Sequence, residues 1–408
     1  MKSGKTATMA MAGLVAMVLA TYWTPALLAL GIRLGNQNAF ATARGNAFAA
    51  TADNPSALFY NPAGISQLED PELEAGAYLL FYDVDYDGER GISASMDDKL
   101  YYLPQLYYVH PLDNTPVTLG LGAYAPFGLA SDWPDDGPFR SHATFNEFNY
   151  LTLTPVLSYR FSEKFSLALG MTINHGDAQL SRGVALLYDE IQFDGDGFGA
   201  GFNAGLLWKP AARHAFGLTY RSDVGVELDG SIRIRSRFPE IVPRDRFAAS
   251  THFRLPQQVV LGYSFRPTPD WDIGIDVEWT DWSSFNTSVV RTPGGNIVEE
   301  LDWDASVVVS LGATRHLDDG WYVSAGYWFA ETTVPSSTFN PRVPDMDYHV
   351  GAIGFGRIWD QWRFACMYQL GYGERTVSGA PVTPAGESAD GDYRYLSHAL
   401  SFSLSRRF

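Results

Sequence analysis

The sequence predicts an all-β fold, a transmembrane antiparallel β-barrel of about fourteen strands with an N-terminal hatch in its lumen. Three observations support this prediction. Apolar and polar residues alternate with a period of two from about residue 73 onwards. Short and long connections alternate between the strands, and a segment rich in Ala, Gly, Asn and Pro precedes the first strand. The chain therefore divides into a signal peptide (1–29), a hatch (30–72) and a barrel (73–408).

The alternation is clearest in "KFSLALGMTIN". Its small or polar residues form one face, which suits the lumen of a barrel, and about ten residues suffice for a tilted strand to cross a bilayer. The other face, expected to contact lipid, is apolar throughout: Phe165, Leu167, Leu169, Met171 and Ile173.

The connections between strands also follow the pattern of outer-membrane barrels, which have short periplasmic turns and long outer loops. Short turns such as "FSEK" and "RPTPD" alternate with longer loops, one of them near 181–195. Aromatic residues near strand ends are expected at the lipid–water interface. They are Trp279, Trp282, Phe285, Trp321, Tyr322, Tyr327 and Trp328.

The segment before the barrel has a different character. Residues 52–70, "ADNPSALFYNPAGISQLED", are rich in turn formers that cannot continue a sheet. Wall side chains cannot fill the lumen of so wide a barrel, and irregular backbone is tolerated at membrane depth when protein surrounds it. We therefore expect residues 30–72 to plug the lumen.

Residues 1–29 are predicted to be a secretory signal peptide. Lys2 and Lys5 begin it, the apolar stretch "AMAGLVAMVLA" forms its core, and Ala29 is the expected last residue before cleavage. The alternative is a membrane anchor, but Thr21 and Pro25 interrupt the apolar stretch. Export of an acidic, aromatic-rich β chain points to the bacterial envelope.

Composition narrows the possible functions. The 408-residue chain has a formal net charge of −17, which argues against nucleic-acid binding. Its one cysteine, Cys366, excludes an internal disulfide and a cysteine metal site. The eight histidines are scattered, and no two are four residues apart. We therefore predict neither a metal nor a cofactor.

Several stretches together resemble the FadL-type outer-membrane transporters of long-chain fatty acids and their relatives that import aromatic hydrocarbons. The resemblance covers about residues 30–408 and includes Asn61, Pro62 and Ala63, which match the hatch motif of the family. The other matching stretches are "AYAPFGLASDW", "LTYRSDVGVELDG", "DWSSF", "VPDMDYHVGAIGFG" and the terminal Phe408.

The resemblance implies a kinked third strand that opens the wall sideways. Ligand would be caught by outer loops, pass to a pocket against the hatch and leave into the outer leaflet, with no energy source. The kink maps onto Ala125, Pro126, Phe127 and Gly128. A break is also expected there on physical grounds, since proline cannot donate to a ladder and glycine tolerates a bulge.

The resemblance also suggests ligand-binding candidates: Ile32, Arg182 and Glu299. Arg182 maps onto one of two basic residues that hold the carboxylate in fatty-acid members, whereas the second maps near Glu299 and Glu300, where the charge is reversed. The third outer loop, a long helical segment in those members, is short here. We therefore expect neutral hydrophobic molecules to bind at least as well as fatty-acid anions.

The predicted function is passive outer-membrane transport of long-chain fatty acids or neutral hydrocarbons, by a monomer that is not an enzyme. Expected partners are the ligand, outer-membrane lipid and, through Phe408, the outer-membrane assembly machinery. Two alternatives remain open: a lipase-like enzyme, for which no Ser/His arrangement is visible, and an adhesin. A polar-solute porin is a third, although it would not need a hatch.

Overall fold

The computed structural model describes residues 32–88, 91–97, 99–184, 189–235 and 245–408, so the predicted signal peptide lies outside the described residues. Fourteen wall strands are formed by the described residues. They are β1 (Glu72–Gly88), β2 (Lys99–Pro111), β3 (Val117–Tyr124 and Gly128–Asp132), β4 (Phe145–Ser162), β5 (Phe165–Val184), β6 (Asp189–Ala211), β7 (His214–Arg221 and Val224–Arg235), β8 (Asp245–Leu255 and Gln258–Phe265), β9 (Trp271–Thr280), β10 (Ser306–His316), β11 (Trp321–Ala330), β12 (Tyr348–Trp359), β13 (Trp362–Val377) and β14 (Gly391–Arg407).

The strands close into an antiparallel barrel, which confirms the predicted fold class. β1 pairs along its whole length with β14, from Glu72 opposite Arg407 to Gly88 opposite Gly391. Short turns lie at the end that holds the start of β1, and longer connections lie at the other, outer end. In the longest of these, Thr287–Thr292 and Gly295–Glu300 pair as an additional hairpin between β9 and β10, which we call the outer hairpin.

Side chains alternate between lipid and lumen as the sequence predicts. On β5, Leu169 is 62% exposed and Met171 is 51% exposed, whereas Ala168 and Thr172, which flank them, are buried in the lumen. Apolar residues therefore cover the outside of the barrel, and small or polar residues face the interior.

Two expectations about strand ends were wrong. Most of the predicted loop at 181–195 is strand, because β5 and β6 continue to pair up to Val184 opposite Asp189. Of the aromatic residues expected at the interface, Trp279, Trp321 and Tyr327 are exposed. The others are buried. Tyr322 and Trp328 lie on β11 at positions that face the lumen, because successive strand residues face opposite sides. Trp282 and Phe285 follow the end of β9 and pack against Trp303.

The hatch fills the lumen with short elements. It contains helices α1 (Ala39–Ala43) and α2 (Ala57–Tyr60) and a 3₁₀ helix over Pro62–Gln67. Among the described residues, none of the helices has the length and apolar content needed to cross a membrane. Asn38 caps α1, since its Oδ1 accepts a hydrogen bond from Ala41 N at 2.9 Å.

Wall glycines let the hatch backbone approach the barrel closely. A Cβ atom on Gly217 of β7 would lie 2.1 Å from the carbonyl oxygen of Ala49, and one on Gly312 of β10 would lie 2.1 Å from that of Arg44. Contacts this short exclude any side chain. The small residues of the hatch and of the wall therefore fit each other.

Carboxylates of β9 hold the hatch from the lumen side. Arg44 donates to Asp272 at 2.8 Å, and both side chains are almost fully buried. Asp276 accepts hydrogen bonds from the backbone N–H groups of Phe48 and Ala49 at 2.9 and 2.8 Å. Because the two aspartates are four residues apart on one strand, they project into the same lumen.

β3 is interrupted at residues 125–127. Tyr124 pairs with Thr152 of β4, whereas Gly128 pairs with Asn149, so three residues of β3 face two residues of β4. A proline, which lacks a backbone N–H, occupies the middle of this bulge.

Beyond the interruption, the described residues of β2 and β3 form no ladder with each other. The last pairs run up to Leu106 opposite Ala123, while residues 99–105 pair only with β1. We call this gap in pairing, between residues 99–105 of β2 and 125–132 of β3, the seam.

The hatch closes the seam with residues 32–37, here called the closing segment. On the β3 side, Leu34 N donates to Pro126 O at 2.8 Å, and Gly128 N donates to Ile32 O at 2.8 Å. These bonds satisfy backbone groups that the interruption would leave unpaired.

The closing segment also bonds to the opposite edge. Gln105 Nε2 donates to Asn36 O at 3.0 Å, and Tyr107 Oη donates to Gln37 O at 2.8 Å. Gln37 itself donates from Nε2 to Ala125 O at 2.7 Å. The closing segment therefore bridges the two strands in place of a ladder.

Candidate ligand pathway

A cavity of about 500 Å³, the outer cavity, opens at the outer end of the barrel. The ends of β5 and β6, the outer hairpin and the loops that follow β11 and β13 form it. Arg182 and Glu299, the two charged candidates from the sequence, both line this cavity. Ladder pairing of β5 with β6 places Arg182 there, and the outer hairpin carries Glu299.

The charge of Glu299 is compensated inside the outer cavity. Arg342 Nη1 donates to Glu299 Oε2 at 2.9 Å, and Asn340 Nδ2 donates to Oε1 at 2.8 Å. The Arg342 guanidinium holds the pKa of the Glu299 carboxyl below its ordinary value. Arg182 makes no ion pair with any described residue. The expectation that neutral ligands are favoured rested on repulsion between Glu299 and an anionic ligand. Arg342 offsets that repulsion.

The rim of the outer cavity is apolar although it faces water. Ile297 and Val298 of the outer hairpin are 40% and 60% exposed, and Val382 of the last loop is 63% exposed. Exposed aliphatic residues around a concave site are typical of a surface that receives an apolar molecule.

Buried aromatic rings lie on the lumen side of the seam. The ring of Phe127, in the interruption of β3, lies 5.5 Å from that of Tyr150 and 6.1 Å from that of Trp282, measured between centroids. Rings continue from there along β4, β8 and the loop after β9: Phe148, Phe253, Phe285 and Trp303. The lumen side of the seam is therefore apolar.

A second, narrower cavity of about 70 Å³, the inner cavity, lies against the hatch. The closing segment contributes Arg33 and Leu34 to its lining, and β7 contributes Arg221. Arg33 Nη2 donates to Glu278 Oε2 of β9 at 2.5 Å. The same residues thus border the inner cavity and close the seam.

Of the remaining sequence candidates, Ile32 lies in the closing segment, whereas the hatch motif does not. Ile32 is buried and holds Gly128 through its carbonyl. The hatch-motif residue Asn61 makes its contacts elsewhere, donating from Nδ2 to Ala49 O at 2.7 Å and to Leu206 O of β6 at 3.0 Å. The residues that bond to the interruption of β3 thus lie in the closing segment, which precedes the hatch motif in the chain.

Sequence reasoning missed the arginines Arg33, Arg221 and Arg342. Arg33 and its partner Glu278 are 245 residues apart, so no local pattern joins them. Arg221 lies in the stretch "LTYRSDVGVELDG", which marked the resemblance without indicating a role for this side chain. No group of three metal-ligating side chains occurs within the part of the chain that the structure describes.

The fold agrees with the comparisons to known proteins. A family model described as "Outer membrane protein transport protein (OMPP1/FadL/TodX)" matches residues 18–364. The chain therefore belongs to this family of outer-membrane transport proteins. Its members are transporters rather than enzymes, and they reside in the bacterial outer membrane, as the sequence predicted.

Individual relatives are similar at lower identity. The chain is 26% identical to the long-chain fatty acid transport protein of Salmonella typhi, over 73% of this chain and 77% of that protein. The protein of the same name from Escherichia coli K12 is 24% identical over the same shares.

Two solved structures share the fold. A FadL homologue from Pseudomonas aeruginosa superposes with a TM-score of 0.83 at 20% identity, covering 93% of this chain and 100% of that one. The toluene transporter TodX of P. putida gives a TM-score of 0.73 at 16% identity, covering 91% and 98%.

Proposed function

We propose that this chain transports hydrophobic compounds, fatty acids or hydrocarbons, passively from the outer surface into the outer leaflet of the membrane. The observation that carries the proposal is the seam: a gap in the ladder between β2 and β3 that the hatch bridges at residues 105 and 125–128, while Lys99 and Asp132 pair directly across its outer end. Similarity to a fatty acid transport protein and to a toluene transporter supports the substrate class.

The route has three stages. An apolar molecule first enters the outer cavity, where burial of its surface against Ile297, Val298 and Val382 contributes roughly 25 cal/mol per Å². It then moves down to the inner cavity at the hatch. It leaves sideways when the closing segment moves away from Pro126 and Gly128. Because the path runs down a concentration gradient, a single barrel suffices and no energy source is needed.

A disulfide between the hatch and the wall tests this route. Arg33 and Phe127 form an isolated antiparallel bridge, so cysteines at these positions are placed to join. The variant Arg33→Cys/Phe127→Cys in a Cys366→Ser background is reconstituted in vesicles, and uptake of a fluorescent fatty acid and of an alkylbenzene is measured. We expect uptake to fall at least tenfold on oxidation and to return on reduction.

The reduced protein is the matched control, because it carries the same substitutions. Equal uptake in the two redox states, with the disulfide verified by mass spectrometry, would show that ligands do not leave through the seam.

A further inference from the structure

A third cavity, of about 350 Å³, lies at the periplasmic end of the barrel, and we call it the periplasmic cavity. The turn between β4 and β5 and the turn between β6 and β7 line it from the wall. The hatch lines it from the lumen with Ala50, Thr51 and Gln67. The proposed transport route leaves the barrel sideways at the seam, so the chemistry of this cavity is independent of that route.

The lining of the periplasmic cavity is basic, although the whole chain has a formal net charge of −17. The turns after β10 and β12, at 317–320 and 360–361, carry only negative charge. Positive charge is therefore concentrated on one side of the periplasmic rim. The cationic side chains of the lining are Lys164, Lys209, Arg213 and Arg266.

The carboxylates near the periplasmic cavity are already paired. Glu163, the only carboxylate among the described lining residues, lies 4.0 Å from Arg160. Asp272 accepts a hydrogen bond from Arg266 at 2.9 Å, and Asp53 lies 3.7 Å from the same arginine. Each of these carboxylates therefore faces an arginine.

The other three cations of the lining have no carboxylate of their own. Lys164, Lys209 and Arg213 form no ion pair with any residue that the structure describes. Asp53 and Glu163 attract Lys209 from a distance, but two arginines repel it. The periplasmic cavity therefore has an excess of positive charge even when the surrounding carboxylates are counted.

The hatch fixes one of these cations in place. Lys209 Nζ donates a hydrogen bond to Gln67 Oε1, and Gln67 Nε2 donates to the carbonyl oxygens of Thr51 and Ala52, both at 2.9 Å. Lys209 is thus held by a neutral partner. Its charge is positioned in advance for an anion, which lowers the entropic cost of binding one.

The unpaired cations lie close to the membrane surface. Trp208, which is 46% exposed, immediately precedes Lys209 in β6. Phe161, which is 60% exposed, precedes Lys164 by three residues at the end of β4. Exposed aromatic rings near strand ends mark the lipid–water interface. The cations therefore lie at the level of the lipid head groups, where basic side chains bind phosphate.

We propose that the periplasmic cavity binds an anion that carries two phosphate groups, held by Lys164, Lys209 and Arg213. Two neighbouring phosphates match three unpaired cations in charge more closely than a single carboxylate does. The arginine can bind phosphate oxygens with its planar fork, and the lysines act as point charges. Two sources supply this chemistry: the head group of a cardiolipin in the inner leaflet, and a soluble diphosphate in the periplasm.

Binding of inorganic pyrophosphate and of cardiolipin to the full chain tests the site. Pyrophosphate is titrated calorimetrically into the protein in a neutral detergent at low salt. Retention of cardiolipin relative to phosphatidylglycerol is measured by native mass spectrometry. We expect the wild type to bind at least one of these probes. Lys164→Gln/Arg213→Gln should weaken that binding about tenfold or more, because charge-assisted contacts are lost.

The matched control is Arg357→Gln/Arg406→Gln. It removes the same charge from the periplasmic end, but both arginines lie outside the cavity, over the rings of Trp321 and Trp362. The control should leave the affinity of each probe within about twofold of the wild type. Heat-modifiable gel mobility verifies that each variant is folded.

The two probes identify the source of the phosphates. Pyrophosphate binding without cardiolipin enrichment assigns a soluble diphosphate, and cardiolipin enrichment alone assigns a lipid head group. The site is wrong if neither probe binds the wild type. It is also wrong if the control variant loses as much affinity as Lys164→Gln/Arg213→Gln, since binding would then follow overall charge. Either failure leaves the transport proposal intact.

Discussion

Single residues decide how firmly the hatch is held in the barrel. Arg44 and Asp272 form an ion pair with side-chain exposures of 1% and 2%. Arg266 donates to the same carboxylate at 2.9 Å from the periplasmic side. Breaking one side of such a pair leaves a buried charge without compensation, which is far costlier than the pair is favourable.

Removing the Asp272 charge should therefore loosen the hatch. For Asp272→Asn we expect a loss of about 3 kcal/mol, since Arg44 stays buried and charged. Proteolysis of the hatch in folded barrels, followed as a function of temperature, measures the effect. Asp270→Asn, at a neighbouring exposed turn, is the control and should match the wild type; equal resistance of both variants would contradict the role given to Asp272.

The residue scale is also where prediction from sequence reached its limit. The resemblance indicated Arg182 and Glu299, and the structure places both in the outer cavity. It gave no sign that Arg342 compensates Glu299, because that contact depends on how two outer loops fold against each other.

At the scale of elements, the outer hairpin depends on the Glu299–Arg342 pair for its link to the loop after β11. The carboxyl has a lowered pKa in the folded chain. The stabilisation is thus fully present above the ordinary Glu pKa of about 4.3 and is lost as the pH falls through the lower folded value.

Acidification should therefore loosen the outer hairpin where it contacts the loop after β11, while its ladder pairs with β8 remain. We expect amide hydrogen exchange at Thr287–Glu300 to be slow near neutral pH, and its protection to drop below about pH 4 once intrinsic exchange rates are corrected for. Glu299→Gln should remove the pH dependence. A wild-type hairpin with the same protection across this range would show that the ion pair does not secure it.

The interruption of β3 is a second element whose behaviour follows from one residue. Pro126→Val restores a backbone N–H and favours extended pairing. We expect the strand to straighten and uptake to fall several-fold, while heat-modifiable mobility stays normal. Uptake at the wild-type rate in a folded Pro126→Val barrel would mean that the interruption is incidental to transport.

Alternation was sufficient to predict the strands themselves. It identified the lipid face of β5, because a shift of one residue would turn every polar side chain of the strand towards lipid. It failed at the outer ends of β5 and β6, where polar strands continue above the membrane and resemble loop sequence. The hatch was recognisable from its composition, but its internal contacts were not.

For the whole molecule, the hatch decides whether the barrel is a barrier or a pore. Deleting residues 34–67 should leave a folded barrel with a water-filled lumen, since the wall side chains of a barrel this wide cannot fill it. Planar-bilayer recording should show large, steady conductance for the deletion and little for the intact chain. A folded deletion variant that does not conduct would show that the outer loops close the lumen instead.

The closing segment has a consequence for how the membrane barrier is shared with uptake. Five hydrogen bonds join it to β2 and β3, the two strands that border the seam. At roughly 1 kcal/mol net for each, about one molecule in several thousand is open at any moment. The leakiness of the seam and the rate of uptake then depend on the same opening equilibrium of the closing segment. On the proposed route through the seam, a mutation that speeds uptake by weakening these bonds raises the resting permeability of the outer membrane in the same proportion, so faster uptake comes only with weaker exclusion.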